Sequence, residues 1–220
     1  MLMAIMAESL EIKRTQAERT ARSDSQMLDT AIKLICEYGT GRTTLKAVGE
    51  TAGFSRGLAG SRFGSKEGLM IFVVLSVSRE WLADLTAVTR GKVGLDAIDA
   101  ATDAHYKFCV DAPDHVRAFY TLWFESIGPQ SEVKAVIEKI HERRRQDVEH
   151  WINEGIKSGQ ISADVDAAAI ALQFCANIIG IVYQWLIMGD AHKEIKSLHI
   201  QLKRSTHIAL CGHTRGIEKK

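Results

Sequence analysis

Apolar residues recur along this chain at steps of three and four, and no sustained two-residue alternation interrupts them. That spacing places side chains on one face of a helix, and no Asn-Gly or Asp-Gly pair offers a hairpin, so the chain is predicted to be all-α. Leu28, Ala31, Ile32, Ile35 and Tyr38 make the stripe of a first helix that Gly39 closes. Thr43 or Thr44 caps a short second helix with Leu45 and Val48 inward, and Gly53 ends it. Ser55 caps a third helix running to about Arg62. Ser65 caps a long fourth, in which Met70, Val74, Val77, Trp81, Leu85 and Val88 step by three and four before Gly91.

The pattern continues past Gly94. One helix covers Leu95 to Val110, and Pro113 opens another through Phe124. Pro129 opens a long one to Lys157, with Val133, Ile137, Ile140, Val148, Trp151 and Ile152 inward. Asp164 caps an uncharged helix ending at Gly189, and a last helix spans about Ala191 to Leu210. The expected layout is about nine helices: a three-helix head, a long joining helix and a helical bundle.

Composition narrows the class. The 220 residues are 46% hydrophobic and 25% charged, as in ordinary globular proteins. The formal net charge is only +1, yet residues 11–66 hold ten basic residues against six acidic ones, while residues 67–220 hold 18 against 20. A basic head on an acidic body suits a module that meets phosphates. The four cysteines form no CxxC pair, and Cys36, Cys109 and Cys175 read as small core residues of a reducing compartment. Met1 to Met6 is too short for the apolar region of a secretion signal. Ala167 to Gly189 is long enough to span a bilayer, but Gln173, Asn177, Tyr183 and Gln184 favour a helix buried in a core or subunit interface.

Chemistry is sparse. The carboxylates are dispersed and no nucleophile–base set is suggested, so an enzyme is not expected, nor a cofactor. His105 and Cys109 are four residues apart, and His207, Cys211 and His213 form a looser group, but neither offers enough ligands at fixed spacing for a metal. Arg143, Arg144 and Arg145 are expected to be solvated around three sides of their helix.

The head carries the specific signal. The order is an apolar helix from Ala31 to Gly39, Thr43-Thr44, Ala52-Gly53, Ser55-Arg56-Gly57 and Phe63-Gly64-Ser65-Lys66-Glu67-Gly68-Leu69. In order and spacing this resembles the amino-terminal signature of the tetracycline-repressor-like (TetR) family of transcriptional regulators. The resemblance covers roughly residues 20–70. It implies a helix-turn-helix at about 44–63 within a DNA-binding domain at 15–70, a ligand-binding and dimerisation domain at 71–212, a lead at 1–14 and a tail at 213–220. It also implies a cytoplasmic bacterial homodimer that binds double-stranded operator DNA and answers to a small-molecule effector. One element departs from the family pattern. A Tyr usually precedes the recognition-helix Phe, whereas here the stretch is Ala59-Gly60-Ser61-Arg62.

Within that frame, Thr44 at a helix N-terminus suits a phosphate, and Lys46 can reach a phosphate or a guanine edge. Ser55 and Arg56 open the recognition helix, where Arg56 can read guanine. Gly57 and Gly60 allow close approach to the groove. Ser61 can stand in for the missing hydroxyl, and Arg62 and Lys66 are expected to clamp phosphates. In the body, His105, Tyr106, Cys109, Phe119, Trp123, Trp151, Phe174 and Asn177 are the candidate ligand contacts, apolar walls with a few polar tips. The expected dimer seam is Leu172, Cys175, Ile179, Val182 and Leu186, with Ala168 before them. The reading is a repressor released from a near-palindromic operator by a small apolar or aromatic ligand. The alternative is a family member that has lost DNA binding and serves as a ligand-binding or protein-contact module.

Overall fold

The computed structural model describes residues 15–128, 131–189 and 192–211, without the side chains of Arg56 and His192. The expected lead at 1–14, the tail at 213–220, and Pro129 and Ala191 as helix openers lie outside these residues. The described residues form nine helices and no strand: α1 (Gln16–Arg42), α2 (Leu45–Thr51), α3 (Arg56–Phe63), α4 (Lys66–Thr89), α5 (Gly94–Asp111), α6 (Pro113–Glu125), α7 (Glu132–Lys157), α8 (Ala167–Met188) and α9 (His192–Cys211).

α1 begins at Gln16, eleven residues before its first buried side chain, Met27. Thr15 and Glu18 form a reciprocal capping box that fixes this exposed start. The regular helix breaks at Gly39 (φ 75°), and one further turn ends at Arg42. Met27, Leu28, Ala31, Ile32 and Ile35 are buried, but Tyr38, expected inward, is exposed. Thr44, Ser55 and Ser65 each cap the following helix, accepting from the backbone N–H of Ala47, Leu58 and Gly68. α8 is capped by Asp166 rather than Asp164, because Asp164 lies in a turn in which the Val165 N–H donates to the Ser162 carbonyl at 3.3 Å.

Two glycines set the angles of the head. A Cβ on Gly49 would lie 3.2 Å from the Ser55 carbonyl oxygen and 3.4 Å from Ala59, so α2 and α3 cross closely there. A Cβ on Gly68 would lie 2.1 Å from the Phe63 carbonyl oxygen, so the end of α3 rests directly on the first turn of α4. The next residues of α4, Leu69, Met70, Val73, Val74 and Val77, are buried in the core cluster that also holds Ile32, Val48 and Ala59. Head and bundle therefore share one core.

α4 packs against α5, α6 and α7, and α7 against α8, which pairs with α9. Cys36 Sγ meets the Asp114 carbonyl at 3.5 Å, and the Thr40 hydroxyl donates to Glu125 at 2.6 Å, tying α1 to α6. α8 is the one helix, among the described residues, long and apolar enough to cross a membrane. It is buried along one face only, against α7 and α9.

Replacing Gly68 by Ala puts a methyl into the Phe63 carbonyl and is expected to destabilise the protein by about 1–3 kcal/mol, read as a lowered urea midpoint. A midpoint equal to that of the parent would mean that the α3–α4 corner opens without cost.

Candidate nucleic-acid interface and effector cavity

α2 and α3 are seven and eight residues long, too short to persist alone in water. They are held by the Gly49 crossing and by a link between α1 and α3. Arg62 makes a two-pronged ion pair with Asp24, with Nε at 2.8 Å from Oδ1 and an Nη2–Oδ2 contact beside it. Lys66 Nζ donates to the Gly41 carbonyl at 3.2 Å, closing the end of α1. These two cations, expected to clamp phosphates, are exposed at the surface, and each also makes a contact within the protein that braces the helices. Distant pairing partners were invisible along the sequence.

The outer face of the two short helices is open. Thr44, Ser55, Ser61 and Gly57 are exposed, and Lys46 is exposed with only a loose 4.0 Å pair to Glu50. The Thr44 and Ser55 hydroxyl oxygens accept in capping, which leaves their O–H groups and other backbone N–H groups of the first turns to donate to an anion. Arg56 is the first residue of α3. A Cβ on Gly60 would meet nothing within 4 Å, and one on Gly57 only the Ser55 hydroxyl at 3.8 Å. Internal packing thus gives no reason for either glycine, although each weakens the helix by about 1 kcal/mol relative to Ala. Leu58, which sequence reasoning missed, is an exposed apolar side chain on the same helix.

The body holds a cavity between α4, α5, α7 and α8, with about 50 Å³ of space for water-sized molecules. Its apolar walls include Trp81, Leu85, Val148, Trp151, Phe174 and Ile178, and its polar groups are His105, His141, Arg144 and Asp147. A surface cleft of about 380 Å³ between α4 and α7 shares Trp81, Leu85, Arg144 and Asp147 with it.

Of the eight expected ligand contacts, His105, Trp151 and Phe174 line this cavity. Phe119 and Trp123 stand one layer back, each with its ring 5.3 Å from the Arg144 guanidinium carbon. Tyr106 packs on His199 from another side, and Cys109 sits near His105 at 3.9 Å. Asn177 is exposed in a groove between α8 and α9. Arg144 corrects the expectation of a solvated triplet: its side chain turns inward among aromatic rings while Arg143 stays outside on Asp147.

The expected dimer seam also divides. Leu172 is exposed and Ile179 and Leu186 are half-buried, but Cys175 and Val182 point into the protomer core. The polar residues of α8, Gln173, Asn177, Tyr183 and Gln184, are all exposed, so the apolar stripe alone left its phase open while the polar positions mark the outer side. The face left outside carries Leu172, Ala176, Asn177, Gly180, Gln184 and Ile187.

Beside the cavity, His105 and His199 form a buried pair, Nδ1 to Nε2 at 2.9 Å. His199 donates Nδ1–H to the Ile195 carbonyl at 2.7 Å, so its Nε2 accepts from His105. Burial, then the nearby His199 and Arg144, holds His105 well below the ordinary imidazole range. Burial also lowers His199, against its bond to Ile195. Burial pushes the Cys109 thiol up to about 12. The ligating atoms of His105, Cys109 and His199 lie within 4.8 Å of one another, but the imidazoles satisfy each other by a hydrogen bond.

Residues 27–71 match the family model of bacterial regulatory proteins of the tetR family. The chain carries a TetR-family amino-terminal domain. A comparison with curated protein sequences gave no match. Among solved structures, a transcriptional regulator from Rhodococcus sp. Rha1 is similar at TM-score 0.73 and 17% identity, covering 86% of this chain and 97% of that one. SmeT, the repressor of the Stenotrophomonas maltophilia multidrug efflux pump SmeDEF, is similar at TM-score 0.71 and 17% identity, covering 84% and 89%. SmeT in complex with triclosan gives TM-score 0.72 at 16% identity, covering 86% and 91%. At these identities the likeness establishes a shared fold, that of TetR-family regulators across both head and body.

The neutral histidine pair predicts a pH response. Both folded-state values are lowered, so their contribution is full above the unfolded value of about 6.5 and is lost as pH falls towards the folded values. The melting temperature is expected to fall between about pH 7 and pH 5, and H199Q to flatten that slope. Parallel slopes for the parent and H199Q in a calorimetric pH series would count against this account.

Proposed function

We propose that the protein is a homodimeric, DNA-binding transcriptional repressor of the bacterial cytoplasm, released from a near-palindromic operator by a small ligand. The observation that carries this reading is the outer face of α2 and α3: two braced short helices, an exposed Lys46, and two glycines with no internal use. Such a face suits the major groove, where Arg56 at the start of α3 is the candidate guanine reader. Thr44, Ser55 and Ser61 are the candidate phosphate contacts. The proposed units are the head at 15–70 and the effector and dimer body at 71–212.

The proposed dimer face is the outer side of α8 and α9. It presents Leu172, Ile187, Ile200 and Ile208, all exposed in the protomer, around a groove containing Ala176 and Gly180. A self-complementary patch of this kind closes a two-fold pair, which sets two recognition helices about 34–36 Å apart.

The proposed relay runs through α7. Glu67, in the first turn of α4, accepts from the Glu132 backbone N–H at 2.6 Å and lies 3.4 Å from the Ser131 hydroxyl. It therefore joins the start of α7 to the residue beside Gly68, on which α3 rests. The cavity holds little free space, so an occupant must push its walls, and α4 and α7 are two of them. A shift of α7 would then reach α3 through Glu67 and change the spacing of the two heads. SmeT is a repressor that has been captured with triclosan, which supports a small-molecule effector in a protein of this shape.

A second reading, a relative that has lost DNA binding, draws on the internal use of Arg62 and Lys66 and on the missing Tyr. Fluorescence anisotropy with duplexes from the DNA flanking its own gene separates the two. The repressor reading expects affinity to fall linearly with salt on a log–log plot, and R56A to weaken binding by about 1–3 kcal/mol. Binding absent at low salt would leave the second reading in place. Separately, I208E is expected to yield monomers in sedimentation and to lose most operator affinity; a dimer that persists would move the interface elsewhere.

A further inference from the structure

We infer that the cavity is built for an amphipathic monoanion: a carboxylate held by Arg144, on an apolar body lying between Trp81, Trp151 and Phe174. This rests on the reading of the cavity as the effector site and names the chemistry of its ligand.

Arg144 is the reason. Its Nε is buried from solvent and has no hydrogen-bond partner. Its Nη1 donates to the Tyr120 hydroxyl at 3.3 Å, and its guanidinium carbon lies 5.3 Å from the rings of both Phe119 and Trp123. Aromatic faces stabilise the cation but accept no second strong hydrogen bond in the guanidinium plane. The nearest acid of the cavity wall, Asp147, accepts from Arg143 Nε at 2.8 Å. A partly buried cation with an unpaired donor, beside a carboxylate already paired with Arg143, suits an anion. Arg117 also has an orphan Nε, packed on Trp185, but it lines neither the cavity nor the cleft.

The approach to the cavity carries the same sign. The cleft that shares Trp81, Leu85, Arg144 and Asp147 with the cavity is also lined by Lys139 and Arg143. Three cations against one carboxylate favour an anion at the mouth. The inner walls of Leu85, Val148, Ile178 and the aromatic rings then exclude water from its body. A planar guanidinium fork suits a carboxylate, and it does so best once water is excluded.

The test uses the full-length protein, with its tryptophan fluorescence as readout, since two of its four tryptophans, Trp81 and Trp151, line the cavity. The probes are two matched pairs: octanoate with octan-1-ol, and 4-phenylbutanoate with 4-phenylbutan-1-ol. The expected result is that at least one acid binds about tenfold or more tightly than its alcohol, and that R144Q removes this preference while the alcohol still binds within about twofold of its parent affinity. R144K keeps the charge without the fork and is expected to retain part of the preference. R145Q, on the same helix but not lining the cavity, is expected to leave the acid's affinity unchanged. Acids and alcohols that bind equally well would overturn the anion site and leave the effector cavity standing. A preference that survives in R144Q would overturn the role of Arg144. Failure of every probe to bind the parent protein would overturn the site and the cavity reading together.

Discussion

The corner between α3 and α4 is where the molecule is joined. Gly68 lets the Phe63 carbonyl lie directly on the first turn of α4, and the residues that follow are buried with side chains from α1, α2 and α3. A seven-residue and an eight-residue helix have no independent stability, so their direction is whatever this contact and the Gly49 crossing dictate. A side chain at position 68 would force the corner apart, and the outer face of α3 would turn with it.

The same turn of α4 faces the body. Glu67 sits next to Gly68 and accepts from the start of α7, so adjacent residues carry the contact to the head and the contact to the cavity-bearing helix. Close-packed helices move as units rather than by continuous bending. A head and a cavity that share one core and one turn are mechanically joined without any long chain of intermediates. The Thr40–Glu125 bond makes a second, parallel tie from α1 to α6.

Charge is divided between bracing and display. Arg62 and Lys66 sit in a motif associated with phosphates, yet one is paired with Asp24 and the other with the end of α1. Lys46 remains in solvent. In the body the division is reversed: Arg143 lies outside on Asp147, and Arg144 of the same triplet is drawn in against Phe119 and Trp123. Neighbours in sequence on a helix point about 100° apart, so a run of like residues samples both environments.

The sequence by itself determined the helices and three of their caps, because these depend on residues within one turn of each other: Thr44, Ser55 and Ser65 before their helices, Gly39 and Gly91 at the breaks. It also determined the head's family, since order and spacing are properties of the string. The capping box at Thr15 and Glu18 is equally local, but that turn buries nothing and so carries no apolar stripe. Tertiary structure alone decided the rest. The inward turn of Cys175 and Val182 follows from packing on α7 and α9, and the exposed Gln173, Asn177 and Gln184 mark the opposite side of α8. The bonds from Arg62 to Asp24 and from His105 to His199 join residues 38 and 94 positions apart, and the unpartnered Nε of Arg144 belongs to a guanidinium packed on the rings of Phe119 and Trp123 from another helix. Local chemistry is written in neighbouring letters, whereas pairing, burial and cavities arise only when remote segments share one space.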